Sequence, residues 1–540
     1  MAPGEKITIS SDALEEFMRH HTLWKEGKRE EAFNYLAGLI KKYPDNSRLL
    51  QTMAEFQFEL GSREQAWKTL EHSMSLDPEH FDPHVTKAKL LMLEGLITEG
   101  LEELLTNIKT KKLQIYLSIL LAADLCLEYG FFDQAKELYT EGFKRFPDQE
   151  DFWHRYCKMY LDALRLEEYY EALVEGVEKR PDDAHLWFEL TKWAGLLEKE
   201  EMGKKSVKVL AKVIDQDAEG LVKLATGYAA VKDYVNAEWA IRESMKKNDR
   251  DGRAWVTYAC IMRLKGQEIE AKRAFDRASA LGSQFREVSS LLQKFSPGIL
   301  EKWHLIQLEN GNNRMKEAIE SKDNNVFTQK MAEIYQLTKG DFLVYAADRD
   351  FPQQPNGDSY YSLLAVIMTL MKEPKKSIGM MYKAVQQSPD NPATLGNYAN
   401  ILVSNQAFSG AVQVIEKAQS LDASRTDLDP FYGYSLAQSQ EPEKAIVVLE
   451  KVLQKEPGNE IALQVLPTAY MALKRYDDAV KHLDNALKKI PKNAKLFASM
   501  AIAAHHAGDK KKSQKALKEC KKLDKTLASQ IESAIKKGIM

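Results

Sequence analysis

Prolines that stop helices return along this chain at one interval. The stretches "KKYPDN" (41–46), "RFPDQ" (145–149), "KRPDD" (179–183), "QSPDN" (387–391), "KEPGN" (455–459) and "KIPKN" (489–493) share a helix running into proline, then an acid or amide. Pro44 and Pro78 are 34 residues apart, as are Pro147 and Pro181, and Pro457 and Pro491. Pro389 and Pro457 are 68 apart, and Pro78 and Pro147 are 69 apart. Proline cannot continue a helix, and a following Asp or Asn caps the exposed N–H groups of the next one. The punctuation therefore sets a pitch, and a chain of 540 residues with a fixed pitch is a repeat array rather than one growing core.

Counting each repeat from the residue after its junction gives frames starting at 13, 47, 81, 116, 150, 184, 218 and 252, and again at 358, 392, 426, 460 and 494. Small residues fall at the twentieth place, where two helices of a hairpin approach closely: Ala32, Ala66, Ala135, Ala237, Ala271, Ala411, Ala445 and Ala479. Gly27, Gly61, Gly95, Gly130, Gly266 and Gly508 fall at the turn between helices, where a positive φ costs glycine little. Trp153, Trp187 and Trp255 occupy the fourth place and are read as core wedges. Frames 150, 184 and 218 lack the turn glycine, and frame 150 has Tyr169 where a small residue belongs, so local distortion is expected there.

With these markers the chain resembles the tetratricopeptide-repeat family over 13–285 and 358–527; "RAWVTYACIMRLKGQEIEAKRAFDRASALG" (253–282) carries nearly every one. The resemblance implies an all-α, right-handed α-solenoid of helix-turn-helix repeats in two arms. The predicted organisation is a tail (1–12), about eight repeats (13–285), a degenerate helical joint (286–357), about five repeats (358–527) and a capping helix or tail (528–540). Within the joint, "REVSSLLQKF", "ILEKWHLIQLEN", "NRMKEAIES" and "FTQKMAEIYQLTKG" are helical candidates with room for two degenerate hairpins. In "DFLVYAADRDFPQQPNGDSYY" (341–361), Pro352, Pro355 and Gly357 argue against a continuous helix. A catalytic or ion-binding loop there would use Asp348, Arg349, Asp350 and Asp358.

Chemistry is otherwise sparse. There is no HExxH, GxSxG, GxGxxG or EF-hand loop, and "GKKS" (203–206) has Glu198 where a phosphate-binding loop needs its first glycine. Cys126, Cys157, Cys260 and Cys520 form no CxxC pair and are read as reduced, packed thiols. His20/His21 and His505/His506 are adjacent pairs pointing to different helix faces, read as surface histidines rather than metal ligands. The acid pairs Glu167/Glu168 and Asp477/Asp478 fit helix starts. No enzyme, cofactor or metal site is expected.

A formal net charge of -3 gives no chain-wide bias to polyanions, although residues 481–540 hold fifteen lysines against five acids and no arginine. The N-terminus lacks a signal-peptide pattern and "SLLAVIMTLM" (362–371) is too short to span a bilayer. A cytoplasmic protein is expected, or a periplasmic one if a targeting segment has been removed.

The family resemblance implies a concave groove lined by the second, fifth, sixth, ninth and twelfth places of each repeat. In the first array these give His154, Arg155, Lys158, Lys192, Lys223, Arg253 and Arg263, a basic run. In the second they give Asn397, Asn400, Phe431, Tyr434, Gln464, Lys495 and Ser499, a polar and aromatic face. Chaperone-binding members of the family use a Lys/Asn carboxylate clamp, but frame 13 has Phe17 and His21 at those places. The expected role is a non-enzymatic scaffold or adaptor in complex assembly, binding an extended peptide or partner protein. Three alternatives stay open: an envelope, secretion or polysaccharide assembly factor of bacterial type, a ligand or catalytic pocket in 286–357, and RNA binding through the lysine-rich end. Nucleic-acid binding is not favoured, because forked Arg contacts and stacking aromatics are scarce there; self-association through an open end is left open.

Overall fold

A computed structural model of the protein describes residues 11–76, 78–111, 116–282 and 299–537. Every regular element among them is helical, and the protein is an all-α solenoid of packed helical hairpins. First helices of the repeats begin at Ser11, Ser47, Asp82, Leu117, Glu150, Ala184, Ala218 and Gly252, then at Gly357, Pro392, Asp429, Glu460 and Ala494. Each of the second helices, from Arg29–Lys42 to Lys510–Leu523, is 14 residues long. The capping logic is realised in detail. Asn46 accepts from the Leu49 amide at 3.2 Å, Asp183 from Leu186 at 3.0 Å, Asp217 from Gly220 at 2.7 Å, and Asn493 from Leu496 at 3.1 Å.

The turn between helices demands a left-handed residue in nearly every repeat, whether or not glycine is there. Gly61, Gly95 and Gly266 have φ of 85°, 81° and 77°, and Leu164, Glu198 and Lys232 take 52°, 57° and 65° at the equivalent place. Lys372, Gln406, Gln440 and Lys474 do the same in the later repeats. The distortion expected in frames 150, 184 and 218 is therefore absent from their turns. Side-chain-bearing residues instead accept an unfavourable backbone region, because the packed helices on both sides over-determine it. Tyr169 fits by turning its ring edge-on to Trp193, centroids 5.3 Å apart, with its hydroxyl donating to Glu189 at 3.1 Å.

Within the hairpins, small and large apolar side chains pack together in buried clusters. All eight alanines at the twentieth place are at most 1% exposed. Trp153 stacks on Phe143 with centroids 4.1 Å apart. Trp187 and Trp255 donate their indole N–H to the Pro181 and Asp249 carbonyls at 2.9 and 2.7 Å, pinning the wedge to the junction six residues before it.

Two compact units account for the chain: residues up to Phe131 together with 351 onward, and residues 132–350. In the first unit, the helices Pro374–Gln387 and Phe408–Leu421 pack on the turns that follow Asp82–Leu93 and Leu117–Glu128. The Gly410 amide donates to the Glu94 carbonyl at 2.8 Å, Lys383 Nζ to the Gly130 carbonyl at 2.7 Å, and Arg63 Nη2 to the Gln406 carbonyl at 2.7 Å. Lys375 pairs with Glu128 at 2.5 Å.

The second unit ends in a hairpin of a different scale, with helices Ile299–Ser321 and Asn324–Asp350 of 23 and 27 residues. The second of these runs straight through "DFLVYAADRD", so the predicted break comes later, at Phe351–Gln353. Pro352 lacks the N–H that would continue the helical ladder and disfavours the α region at the residue before it, but imposes nothing further upstream. Asp348, Arg349 and Asp350 consequently lie in the last helical turn rather than a loop. Arg349 spends its guanidinium on Asp350 at 2.7 Å and on Asn312 Oδ1 at 3.1 Å. The candidate "REVSSLLQKF" and the tail 1–10 lie outside the described residues, as do 538–540.

Candidate functional site

The predicted basic run of the first array is on first helices, as expected, but it is not an unopposed positive surface. Lys158 pairs with Asp162, Lys192 with Glu189 at 2.8 Å, Lys223 with Glu219 at 3.2 Å, Arg253 with Asp251 at 3.2 Å and Arg263 with Glu268 at 3.5 Å. Arg155 is exposed. Reading only the groove-facing places omits these acids, which sit two to five residues away on the same helix, at its cap or at the start of the next helix.

His154 belongs to a tighter cluster. Its Nε2 lies 3.2 Å from Asp183 and 3.6 Å from Glu150, and one ligand atom from each of the three lies within 4.8 Å of the others. Arg180 reaches the same carboxylates, 3.3 Å from Asp183 and 3.9 Å from Glu150, and brings the positive charge that a cation would supply. Burial pushes the Asp183 carboxyl upward, but hydrogen bonds from His154, the Leu186 amide and Arg180 outweigh it and hold the group at about 2. Burial, with the charge of His154 beside it, lowers His185, whose ring centroid lies 4.5 Å from that of His154. The cluster is a capped ion-pair network tying one repeat to the next.

Histidine placement departs from expectation in one case. His20 is 3% exposed, close to Phe56, and neither ring nitrogen has a hydrogen-bond partner among the described residues. Its neighbour His21 and its own burial lower its pKa to about 4, burial being the larger cause. No disulfide joins the cysteines among the described residues; Cys126, Cys157 and Cys520 are buried, and burial pushes Cys126 up to about 12, where it is no nucleophile.

In the second array the predicted residues converge. Phe431 and Tyr434 on Asp429–Gln438, Gln464 on Glu460–Ala472, and Lys495 and Ser499 on Ala494–His506 line one depression of ≈ 470 Å³. Ile461, Val465 and Thr468, also at groove-facing places, share the lining. Asn397 and Asn400 are exposed on the preceding first helix, Pro392–Ser404, and do not line it. Gln438, Glu460 and Leu496 line it from places thirteen, one and three, which the groove rule omits because it counts only the centre of the exposed stripe. Gln464 and Lys495 also border a second depression of ≈ 570 Å³ reaching Asp524, Leu527 and Gln530.

The walls are chemically mixed. Tyr434 meets Phe408 edge-on with centroids 5.1 Å apart, so its ring is braced while part of it stays exposed. Lys495 is exposed and makes no ion pair among the described residues, unlike most cations of the first array. Such a surface offers apolar contact, amide groups that both donate and accept, and one available cation. No helix among the described residues is long and apolar enough to cross a membrane.

Residues 23–90 and 436–502 match the family model described as tetratricopeptide repeat. No curated protein matches the chain. Among solved structures, MamA from Desulfovibrio magneticus RS-1 is similar at 16% identity, over 31% of this chain and 96% of that one, with a TM-score of 0.29. YrrB, described as a TPR protein with an unusual peptide-binding site, is similar at 16% identity over 35% of this chain and 96% of its own, TM-score 0.29. The family model thus falls on hairpins near both ends of the repeat series, and over those two stretches the chain is similar to tetratricopeptide repeats.

Proposed function

We propose that the protein is a non-enzymatic scaffold that holds an extended segment of a partner protein in the depression lined by Phe431, Tyr434, Gln464 and Lys495. The observation that carries this reading is the convergence of those side chains, from three successive first helices, on one cavity. An extended segment has unpaired backbone N–H and C=O groups, which Gln438 and Gln464 can satisfy. Half-buried aromatic rings anchor an apolar side chain at low entropic cost, and Lys495 selects a nearby carboxylate. Partner assembly in the cytoplasm follows as the working role, with the basic run of the first array contributing less because its cations are already paired.

A displayed random-peptide library selected on the full chain tests this. Selected peptides should carry an apolar residue near an acid, and should lose about tenfold or more in affinity toward the Phe431→Ala/Tyr434→Ala and Lys495→Glu variants. Peptides that bind both variants as well as the parent would place the binding surface elsewhere.

A further inference from the structure

The second helix of the last repeat, Lys510–Leu523, begins in a way most of its counterparts do not. Nine second helices carry acids in their first turn, among them Glu30 and Glu31, Glu167 and Glu168, and Asp477 and Asp478. Acids there complement the positive end of the helix dipole, and cations oppose it. Lys510–Leu523 has no acid in its first turn and three lysines instead, under the Asp509 cap. Its lysines continue along one face, Lys511, Lys515, Lys518 and Lys522 following the i, i+4, i+7, i+11 spacing, all exposed. Lys522 pairs with Glu519 at 2.7 Å, whereas Lys511, Lys515 and Lys518 pair with nothing among the described residues. An unfavourable helix start followed by an unneutralised cationic stripe is a cost without a return inside the fold.

Another second helix with a lysine start shows what such a stripe does. Lys375 occupies the place of Lys511 four repeats earlier, and there the lysine pairs with Glu128, at the end of another first helix. Two turns on, Lys383 donates to the Gly130 carbonyl. That helix thus docks on an acidic helix end, its lysines meeting a carboxylate and C-terminal carbonyls together. The stripe on Lys510–Leu523 lacks the features other polyanions need. It has no arginine fork and no aromatic platform for nucleic acid. Its apolar side is mostly spent inward, with Ser513, Ala516 and Cys520 buried, and Leu523 is the one large apolar side chain it leaves exposed, too little to enter a lipid interface.

We infer that the outer face of Lys510–Leu523 is a second docking surface, distinct from the proposed peptide depression, and that it takes an acidic helical segment of a partner protein whose carboxylates match the lysine spacing. The stripe spans about 16 Å, the length of three helical turns.

The full chain is titrated with two labelled helical peptides of equal composition, one with Glu at i, i+4, i+7 and i+11 and one with the same residues scrambled. Vesicles of equal parts phosphatidylcholine and phosphatidylserine, and a polyuridine strand, serve as alternative polyanions. The matched peptide should bind about tenfold tighter than the scrambled one, weaken with added salt, and lose that advantage in the Lys511→Gln/Lys515→Gln/Lys518→Gln variant. The Phe431→Ala/Tyr434→Ala variant should bind it as the parent does, which separates this surface from the depression. Equal affinity for both peptides, or tighter binding to vesicles or polyuridine than to the matched peptide, would overturn the inference. The lysine variant's helix content, read by circular dichroism, should equal the parent's, since the three side chains are exposed.

Discussion

The backbone amide of Gly410 donates to the backbone carbonyl of Glu94 at 2.8 Å, although more than three hundred residues separate them. Gly410 lies in the first turn of Phe408–Leu421, where the N–H has no partner within its own helix, and the Glu94 carbonyl closes Asp82–Leu93. Each group thus satisfies the orphan of the other. The approach requires glycine: a Cβ on Gly410 would stand 2.5 Å from the Gly95 carbonyl oxygen, and one on Gly379 1.8 Å from that of Tyr129.

Gly379→Ala and Gly410→Ala should each push these helices off the turns, at an overpacking cost of about 1–3 kcal/mol. Hydrogen exchange is the measurement: protection at Gly410 and around 94–96 should fall, while the hairpins of 132–350 keep theirs. Unchanged exchange at Gly410 in Gly379→Ala would show that the two contacts open independently.

The left-handed turn residues make a cleaner stability test. Glu198→Gly and Lys474→Gly should each raise stability by about 0.5–1 kcal/mol in urea unfolding, since their φ of 57° and 59° costs a side-chain-bearing residue and not glycine. Gly61→Ala should lose about 1 kcal/mol for the same reason in reverse. A Cβ there meets nothing within 4 Å, so the loss is conformational and not steric.

His20 makes the first hairpins acid-sensitive. Its folded pKa is about 4 against the ordinary 6.5, through burial first and the neighbouring His21 second. The folded state thus refuses a proton that the unfolded chain accepts. Stability from this site is complete above pH 6.5 and is lost as pH falls towards 4, about 3 kcal/mol in all. His20→Leu should flatten that dependence, read by hydrogen exchange in 29–60 at pH 7 and pH 5.

Asp183 titrates lower still. Its carboxyl stands at about 2 against the ordinary 3.8, so its contribution is present above pH 4 and disappears as pH falls through 2. Asp183→Ala should cost about 2 kcal/mol at pH 7, from the lost cap and the stranded Arg180. Asp183→Asn should retain the Leu186 cap and recover part of that loss, measured by urea unfolding of the two variants side by side.

Much of the candidate depression was legible from place counting, because a stacked hairpin repeats its exposed stripe. Phe431, Tyr434, Gln464, Lys495 and Ser499 were all found that way. Gln438, Glu460 and Leu496 were not, since a depression between curved helices also collects residues from the edges of the stripe. The basic run stands differently. Its residues lie on first helices, but Asp162, Glu189, Glu219 and Asp251, residues of the same helices or their caps that a groove-only count leaves out, pair with Lys158, Lys192, Lys223 and Arg253.

The amino-acid sequence alone determined the hairpins, their pitch, their caps and the places of their turns, because those follow from interactions spanning one helical turn: proline's missing N–H, an Asn or Asp side chain reaching three residues on, apolar spacing along one face. Tertiary structure decided which turns accept a left-handed residue other than glycine, how far the helix through Asp348 runs, and that Pro374–Gln387 and Phe408–Leu421 fold back onto Glu94 and Glu128. Those outcomes depend on atoms hundreds of residues apart meeting at van der Waals distance, and no periodicity along the chain records which distant surfaces fit.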